Sequence, residues 1–216
     1  MDGALADRRA LETAARYARG MNQYITPPEA ADCIAWIQEG DWWYSIEPIY
    51  DASTGLYARF TYEGASAAAR YLHAELPTRD DIIALRRVGF PLSPVMLPDA
   101  DMLRSVGLPP HSPESQINAY RTEHMGSIEW ARIHDERVRA ALVSGGWDGQ
   151  QRVANAGKHW IAGAPPGRAY LMGWWDGTGW IQSGLSALTP GSPGPHDSQH
   201  HDYGTTTILK RRNLEA

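Results

Sequence analysis

The feature that most constrains the fold is a change of hydrophobic pattern near residue 157. Before it, apolar residues recur at helical spacing, most clearly from Ser115 to Val143. After it, runs rich in aromatic and β-branched residues alternate with turns rich in glycine and proline. Helices in one part of a chain and strands in another predict an α+β fold whose C-terminal sheet is mainly antiparallel. The predicted strands are Lys158–Ala162, Arg168–Trp174, Trp180–Leu185 and Tyr203–Lys210.

The N-terminal and central parts are predicted to contain helices and one hairpin. Thr26 and Glu29 have the spacing of a capping box, which predicts a helix that ends at Gly40. Two runs rich in aromatic residues, Trp42–Tyr50 and Leu56–Tyr62, are separated by a loop of hairpin length. Further helices are predicted over Gly64–Glu75, over Arg79–Val88, and over Ser115–Val143 as one long helix or two helices broken near Gly126.

A chain of 216 residues is long enough to bury a core, and the pattern predicts one main domain. Residues 1–24 are interpreted as an N-terminal helical arm, and residues 25–216 as a single α+β domain. Residues 89–114 contain many prolines and little periodicity, so they are expected to form an ordered connection around the core.

Charge and cysteine content exclude several classes of protein. A net charge of −5 argues against a dedicated nucleic-acid binder, and the basic run Lys210–Arg212 is interpreted as a solvated tail. With Cys33 as its one cysteine, the chain has no internal disulfide framework. The N-terminus lacks the apolar stretch of a signal peptide, and no run is long enough to span a bilayer. These patterns predict a cytoplasmic or virion-associated protein without a membrane segment.

The histidines near the C-terminus are the main candidate for chemistry. His196, His200 and His201 lie close to Asp202 in the chain, and imidazole both transfers protons near neutral pH and binds metals. His196 and His200, together with His159 from a neighbouring strand, are the predicted ligands of a divalent metal such as zinc. No strong zinc motif accompanies them, so a polar surface loop is the plain alternative.

A metal-free reaction is the second possibility. His201 or His196 would act as the base, with Asp202 or Asp197 orienting it and with Cys33 or a serine as nucleophile. The neighbours of Cys33 are mostly apolar, which favours a buried structural thiol. A third possibility, hydrolysis of a glycosidic bond by two carboxylates, has weaker support. Its candidate carboxylates lie near tryptophans: Glu39, Asp41, Glu47 and Asp176.

Tryptophan and tyrosine are abundant here, with nine Trp and ten Tyr against two Phe. Such side chains combine an apolar body with a polar group and suit surfaces that bind sugars or peptides. The predicted substrate-binding residues are Trp160, Trp174, Trp175, Trp180 and Tyr203. On a strand, Trp174 and Trp175 must face opposite sides, so at most one of these two belongs to the core.

Several short motifs resemble a family of bacterial and phage-type α+β proteins without an established activity. The motifs are Leu76–Arg79, Gly107–Pro110, Gly157–Trp160, Tyr170–Trp175 and His196–Gly204. Similar sequences often have histidine after the Gly-Trp pair and serine after Asp-Tyr, where this chain has Trp175 and Gly204. The resemblance implies one domain with these segments in conserved order, and it implies no particular reaction.

Taken together, these patterns predict a hydrolase that is metal-assisted or histidine-dependent and acts on a cell-wall-like peptide or glycan. His196, His201 and Asp202 would be its catalytic residues. Its partner would be a peptide or carbohydrate polymer, with no nucleic acid involved. The alternative is a non-catalytic binding module or a structural protein of virion assembly, in which the aromatic residues form the contact surface.

Overall fold

A computed structural model describes most of the chain from residue 35 to residue 212. The described residues are 35–51, 55–109, 111–164, 168–181, 184–187 and 202–212. The predicted helical arm over residues 1–24, the capping box at Thr26, Cys33 and the histidines at 196, 200 and 201 lie outside them.

The described chain begins with a hairpin of two strands, β1 (Trp36–Glu39) and β2 (Trp42–Ser45), which pair antiparallel. The prediction of a helix through Glu39 is therefore wrong for the residues of β1. Gly40 has a φ of +63° and forms with Asp41 the short connection that lets Glu39 pair with Trp42. Pairing with β2 satisfies the backbone of β1, and tertiary contacts of this kind override a helix signal from upstream.

The basic run near the C-terminus is the third strand of this sheet, β11 (Lys210–Arg212), which pairs with β2. The prediction of a solvated tail is wrong because each long side chain finds a partner. Lys210 is buried with its Nζ 2.8 Å from Oδ2 of Asp81. The Arg211 guanidinium lies 4.4 Å from the ring centre of Trp36, a cation–π contact.

A second small hairpin follows, formed by β3 (Tyr50–Asp51) and β4 (Leu56–Tyr57). The predicted hairpin is confirmed at this place, with strands much shorter than the runs Trp42–Tyr50 and Leu56–Tyr62. Its register pairs Tyr50 with Tyr57, and their rings are 4.8 Å apart.

Two helices come next, and side-chain caps define where both begin. In α1 (Tyr62–Tyr71) the Oγ1 of Thr61 accepts a hydrogen bond from the Gly64 N–H at 3.1 Å. The helix α2 (Arg79–Val88) has the predicted bounds. Thr78 and Asp81 form a reciprocal capping box, in which the backbone N–H of Thr78 donates to Asp81 at 2.6 Å.

The central part adds three more helices. A short helix, α3 (Ala100–Ser105), lies inside the proline-rich connection and is capped by Asp99. Then α4 (Glu114–His124) and α5 (Ile128–Ser144) follow, and they are separated at Gly126. Of the two predicted alternatives for this region, the one with two helices is therefore confirmed. Among the described residues, none of the helices has both the length and the apolar character needed to cross a membrane.

The C-terminal sheet has four strands, which are β5 (Lys158–Ile161), β6 (Arg168–Met172), β9 (Gly184–Ala187) and β10 (Thr205–Thr206). Their order in the sheet is β10-β5-β6-β9. The pairs β5–β6 and β6–β9 are antiparallel, whereas β10 runs parallel to β5. The structure thus confirms an α+β fold with a mainly antiparallel C-terminal sheet.

A separate hairpin, β7 (Trp174–Trp175) and β8 (Trp180–Ile181), extends from the end of β6. Trp174 is fully buried, and Trp175 is partly exposed. The prediction that these adjacent tryptophans face opposite sides is confirmed, as the pleat of a strand requires.

Helix α5 provides one wall of the interior beside this hairpin. Its buried face carries Trp130, His134, Val138 and Leu142, which are spaced four residues apart. Trp130 belongs to an aromatic cluster with Trp174 and Tyr203. The helix therefore places His134, and Asp135 beside it, against the aromatic residues of the C-terminal segment.

Candidate functional site

The structure brings five ionisable residues together in the interior, and we call them the inner charge cluster. They are Arg59, His134, Asp135, Lys158 and Asp202. Their side chains are between 0% and 10% exposed. Burial of charged groups costs free energy unless each charge has a close partner of opposite sign. Such clusters arise in structural networks and at functional sites, where perturbed ionisation is part of the chemistry.

Asp135 is the anchor on the helical side of the cluster. Its carboxylate accepts hydrogen bonds from both terminal nitrogens of Arg59, at 2.5 Å and 2.9 Å. The backbone N–H of Tyr57 donates to the same carboxylate at 2.7 Å. Burial opposes ionisation, but the hydrogen bonds from His134 and Arg59 outweigh it, so the pKa of Asp135 is lowered. Asp135 is therefore a fixed anion.

His134 is oriented by this anion. Its Nδ1 lies 2.9 Å from Oδ1 of Asp135, and a carboxylate can only accept, so Nδ1 carries the proton. Its Nε2 is then left with a lone pair, and this buried atom has no hydrogen-bond partner among the described residues. Burial lowers the pKa of His134 despite the opposing effect of its hydrogen bond to Asp135. The imidazole is therefore a neutral ring with an unused acceptor.

The second ion pair of the cluster joins β5 to the C-terminal segment. Nζ of Lys158 donates to Oδ2 of Asp202. The other oxygen of Asp202 accepts from the Gly204 N–H at 2.9 Å and from Oγ1 of Thr205 at 3.0 Å. Burial lowers the pKa of Lys158, while Asp202 opposes that effect. Asp202 is thus fixed in position, directly after the predicted catalytic residue His201.

Two aromatic rings separate the ion pairs. Trp174 lies with its ring centre 6.4 Å from His134 and 5.3 Å from Nζ of Lys158. The ring centre of Tyr203 is 5.6 Å from His134. The Tyr203 hydroxyl donates to the carbonyl of Leu97 at 3.0 Å and accepts from its N–H at 2.8 Å. Low-polarity rings around the charges strengthen the electrostatic interactions between them.

The space for Trp174 depends on Gly204. A Cβ at residue 204 would lie 2.5 Å from two ring atoms of Trp174, which is far inside contact distance. Only glycine allows the backbone of the C-terminal segment to approach the indole this closely. Gly204 therefore has a packing role.

His159, the predicted metal ligand on β5, is buried beside β10. Its Nδ1 lies 3.1 Å from Oγ1 and 3.3 Å from the carbonyl oxygen of Thr206. Burial lowers its pKa to about 4, so the ring is neutral at physiological pH. Within the described residues no group of three or more His, Cys, Asp or Glu is placed to hold a metal. His196 and His200 lie outside those residues, so the zinc site remains a prediction.

The predicted substrate-binding aromatics divide into two groups. Trp160, Trp174 and Tyr203 are buried in the core, and Nε1 of Trp160 donates to the carbonyl of Phe60 at 3.0 Å. Their rings pack against protein on all sides. Trp175 and Trp180 are partly exposed on the β7–β8 hairpin. In this conformation, Trp175 and Trp180 are therefore the only predicted substrate-binding residues that are exposed enough to contact a polymer.

Three of the four carboxylates considered for glycoside cleavage have other partners. Glu39 forms an ion pair with Arg152 at 2.9 Å. Glu47 accepts hydrogen bonds from the hydroxyls of Tyr50 and Tyr57 at 2.7 Å and 3.1 Å. Asp176 accepts from residues of its own turn. These contacts give the three carboxylates structural roles.

Sequence reasoning missed Arg59, His134, Asp135 and Lys158 as members of the candidate site. A signal for His134 was present, because it lies at the four-residue spacing of the apolar face of α5. An ionisable residue on such a face is a buried polar group that needs a partner. Arg59 and Lys158 are far from α5 in the sequence and had no comparable signal.

Comparisons of the chain with protein-family models, with curated proteins and with solved structures found no match. The resemblance of the short motifs to a bacterial and phage-type family therefore stays a prediction. The inner charge cluster is the chemical feature from which a function can be argued.

Proposed function

We propose that the protein is a histidine-dependent hydrolase in which His134 is the general base, acting on a cell-wall-like polymer of peptide and glycan. The observation that carries the proposal is the His134–Asp135 pair. Asp135 holds Nδ1 of the imidazole, and Nε2 keeps a lone pair with no partner among the described residues. A base oriented by a carboxylate in this way is the arrangement that activates a nucleophile in many hydrolases.

The proposed chemistry is hydrolysis of an amide bond in the peptide part of the polymer. Nε2 of His134 takes a proton from water while the water oxygen bonds to the carbonyl carbon. The resulting imidazolium is stabilised by Asp135 and returns the proton to the leaving nitrogen as the carbon–nitrogen bond breaks. The products are a carboxylic acid and an amine. Lys158, whose Nζ lies 5.3 Å from the Trp174 ring centre, contributes positive charge to the electrostatic field of the site and has Asp202 as its counter-ion.

Because His134 is fully buried, the proposal includes an opening step. Water and the scissile bond reach Nε2 only when the side chains that surround it move apart. Opening and closing of this kind limit turnover in many enzymes. The predicted catalytic residues His196 and His201 precede Asp202 in the chain. Zinc binding by the predicted ligands His159, His196 and His200 is the metal-assisted form of the same proposal.

The test uses purified peptidoglycan sacculi and measures the amino groups that hydrolysis releases. For His134→Gln we expect the rate to fall by roughly 100- to 10,000-fold, the usual contribution of a general base. The matched control is His111→Gln, because His111 is an exposed histidine remote in sequence from the cluster. Added imidazole should restore part of the activity to His134→Gly, which a purely structural role would not allow.

Wild-type turnover by His134→Gln, measured in protein that melts like the wild type, would contradict the proposal. The same assay with His201→Ala tests the role predicted for His201. Loss of activity with a chelator and its return with Zn²⁺ would assign the metal-assisted form of the reaction.

A non-catalytic binding or assembly protein is the second candidate. The observation in its favour is that both ion pairs of the inner charge cluster are complete and buried, as in structural networks. This function predicts no release of amino groups by the wild type under any condition, and an oligomer in native mass measurements.

A further inference from the structure

The exposed side of the β7–β8 hairpin and the end of α2 form a second polar and aromatic surface, which we call the outer surface. Its members are Arg86, Trp175 and Trp180. The rings of Trp175 and Trp180 are 5.3 Å apart in an edge-to-face arrangement. The Arg86 guanidinium lies 5.6 Å from the Trp175 ring centre. All three residues are partly exposed.

The hairpin that presents the tryptophans is held rigidly. Oδ1 of Asp176 accepts three hydrogen bonds within the turn, from Oγ1 and the N–H of Thr178 and from the N–H of Gly179, all at 2.8 Å. On the inner side, Asn155 binds both backbone groups of Trp175, at 2.9 Å and 3.0 Å. Rigid aromatic groups bind ligands with little loss of conformational entropy.

Arg86 is partly buried and has no carboxylate partner among the described residues, in contrast to three other cations of the fold. Arg59, Arg152 and Lys210 form ion pairs with carboxylates. For Arg86 the described residues supply only the contact with Trp175, and its Nε is buried without a hydrogen-bond partner. Burial lowers the pKa of Arg86, and no carboxylate of the described residues opposes that effect.

We propose that the outer surface binds a sugar unit whose attached peptide carries a carboxylate, as in a peptidoglycan strand. The sugar ring lies against the Trp175 and Trp180 indoles, and the carboxylate pairs with Arg86. Guanidinium and carboxylate form charge-assisted hydrogen bonds with matched planar geometry. The C–H groups of a sugar ring are the apolar surface that an indole face can cover. The inference rests on the proposed function for the identity of the polymer and supplies the contact that holds it.

The test is sedimentation of the protein with purified sacculi on ice. Two matched materials separate the contributions: sacculi with amidated carboxylates, and chitin, which has similar sugars and no carboxylates. We expect the wild type to bind native sacculi and Arg86→Gln to bind about tenfold more weakly, the effect of losing one charge-assisted contact. The control Arg87→Gln removes the same charge from the adjacent, exposed position and should bind like the wild type.

Trp175→Ala is expected to lose binding to native and to amidated sacculi alike. On amidated sacculi the wild type should bind only as well as Arg86→Gln. Equal binding by Arg86→Gln and Arg87→Gln, equal binding to chitin and native sacculi, or no sedimentation of the wild type would overturn the proposal. Binding on ice does not require turnover, so binding and hydrolysis are tested separately. If these binding differences are not found but His134-dependent hydrolysis is, the binding proposed for the outer surface is refuted alone. If the binding differences are found but hydrolysis is not, the catalytic proposal is refuted alone.

Discussion

The inner charge cluster and the outer surface differ in whether their cations have carboxylate partners. In the cluster, Arg59 and Lys158 are buried and each is matched by an aspartate. On the outer surface, Arg86 is partly buried beside Trp175 with no carboxylate among the described residues. A matched charge is held by the fold itself, whereas an unmatched one is free to pair with a ligand. The ion pairs of the inner charge cluster are complete within the fold, whereas the ligand proposed for the outer surface would supply the carboxylate partner of Arg86.

The largest expected effect comes from unbalancing the inner cluster. Asp135→Asn leaves the Arg59 guanidinium buried without its anion, and breaking a buried pair typically costs about 3–5 kcal/mol of unfolding free energy. Arg86→Gln on the outer surface removes a charge that has no carboxylate partner among the described residues and should change stability by less than about 0.5 kcal/mol. Urea unfolding of both variants measures the difference. Similar losses in the two variants would abolish the contrast between the regions.

The second effect concerns His159, which lies beside Lys158 on β5. Its pKa is about 4 in the fold and about 6.5 in an unfolded chain, so acid protonates the unfolded state first. Its neutral form therefore contributes stability above pH 6.5 that is lost as the pH falls toward 4, by about 3 kcal/mol in total. The contribution should be missing in His159→Gln, whose unfolding free energy should decline less steeply over this range. Urea unfolding over this pH range measures how the unfolding free energy depends on pH. The same pH dependence in His159→Gln and in the wild type would contradict the burial of this imidazole.

The smallest effect compares an inner and an outer glycine. A methyl group at Gly204 would overlap the Trp174 ring, and overpacking of this kind costs about 1–3 kcal/mol. At Gly179, in the hairpin turn, a Cβ meets no atom within 4 Å, so Gly179→Ala should cost less than about 0.5 kcal/mol. Thermal unfolding gives both values. In a Trp174→Leu background the cost of Gly204→Ala should shrink, and strict additivity would count against the overlap.

Local patterns could be predicted from the sequence, and pairings between distant segments could not. The bounds of α2 can be predicted because the residue that caps it, Thr78, directly precedes it in the chain. The opposite orientations of Trp174 and Trp175 followed from strand geometry alone. By contrast, β1 is a strand because β2 pairs with it, and no signal within residues 36–39 outweighed the upstream helix pattern.

The candidate site shows the same division. Asp202 was predicted as a site residue because it follows a run of histidines, and it is a member of the inner charge cluster. Its partner Lys158 is 44 residues away, and Arg59 is 76 residues from Asp135. The first contact joins β5 to the C-terminal segment, and the second joins the segment after β4 to α5. A pattern read along one stretch of chain contains no information about them.

The side chain of Asn155 has a consequence for how this protein can change. The residue has a φ of +65°, and its side-chain amide forms hydrogen bonds with both backbone groups of Trp175. These bonds take the place of a second neighbouring strand beside β7. The β7–β8 hairpin is thereby held by the side-chain amide of Asn155 and is not part of the four-stranded sheet. Residues of its turn can be exchanged, and a new recognition specificity acquired, while the hydrogen-bond ladder of the main sheet stays as it is.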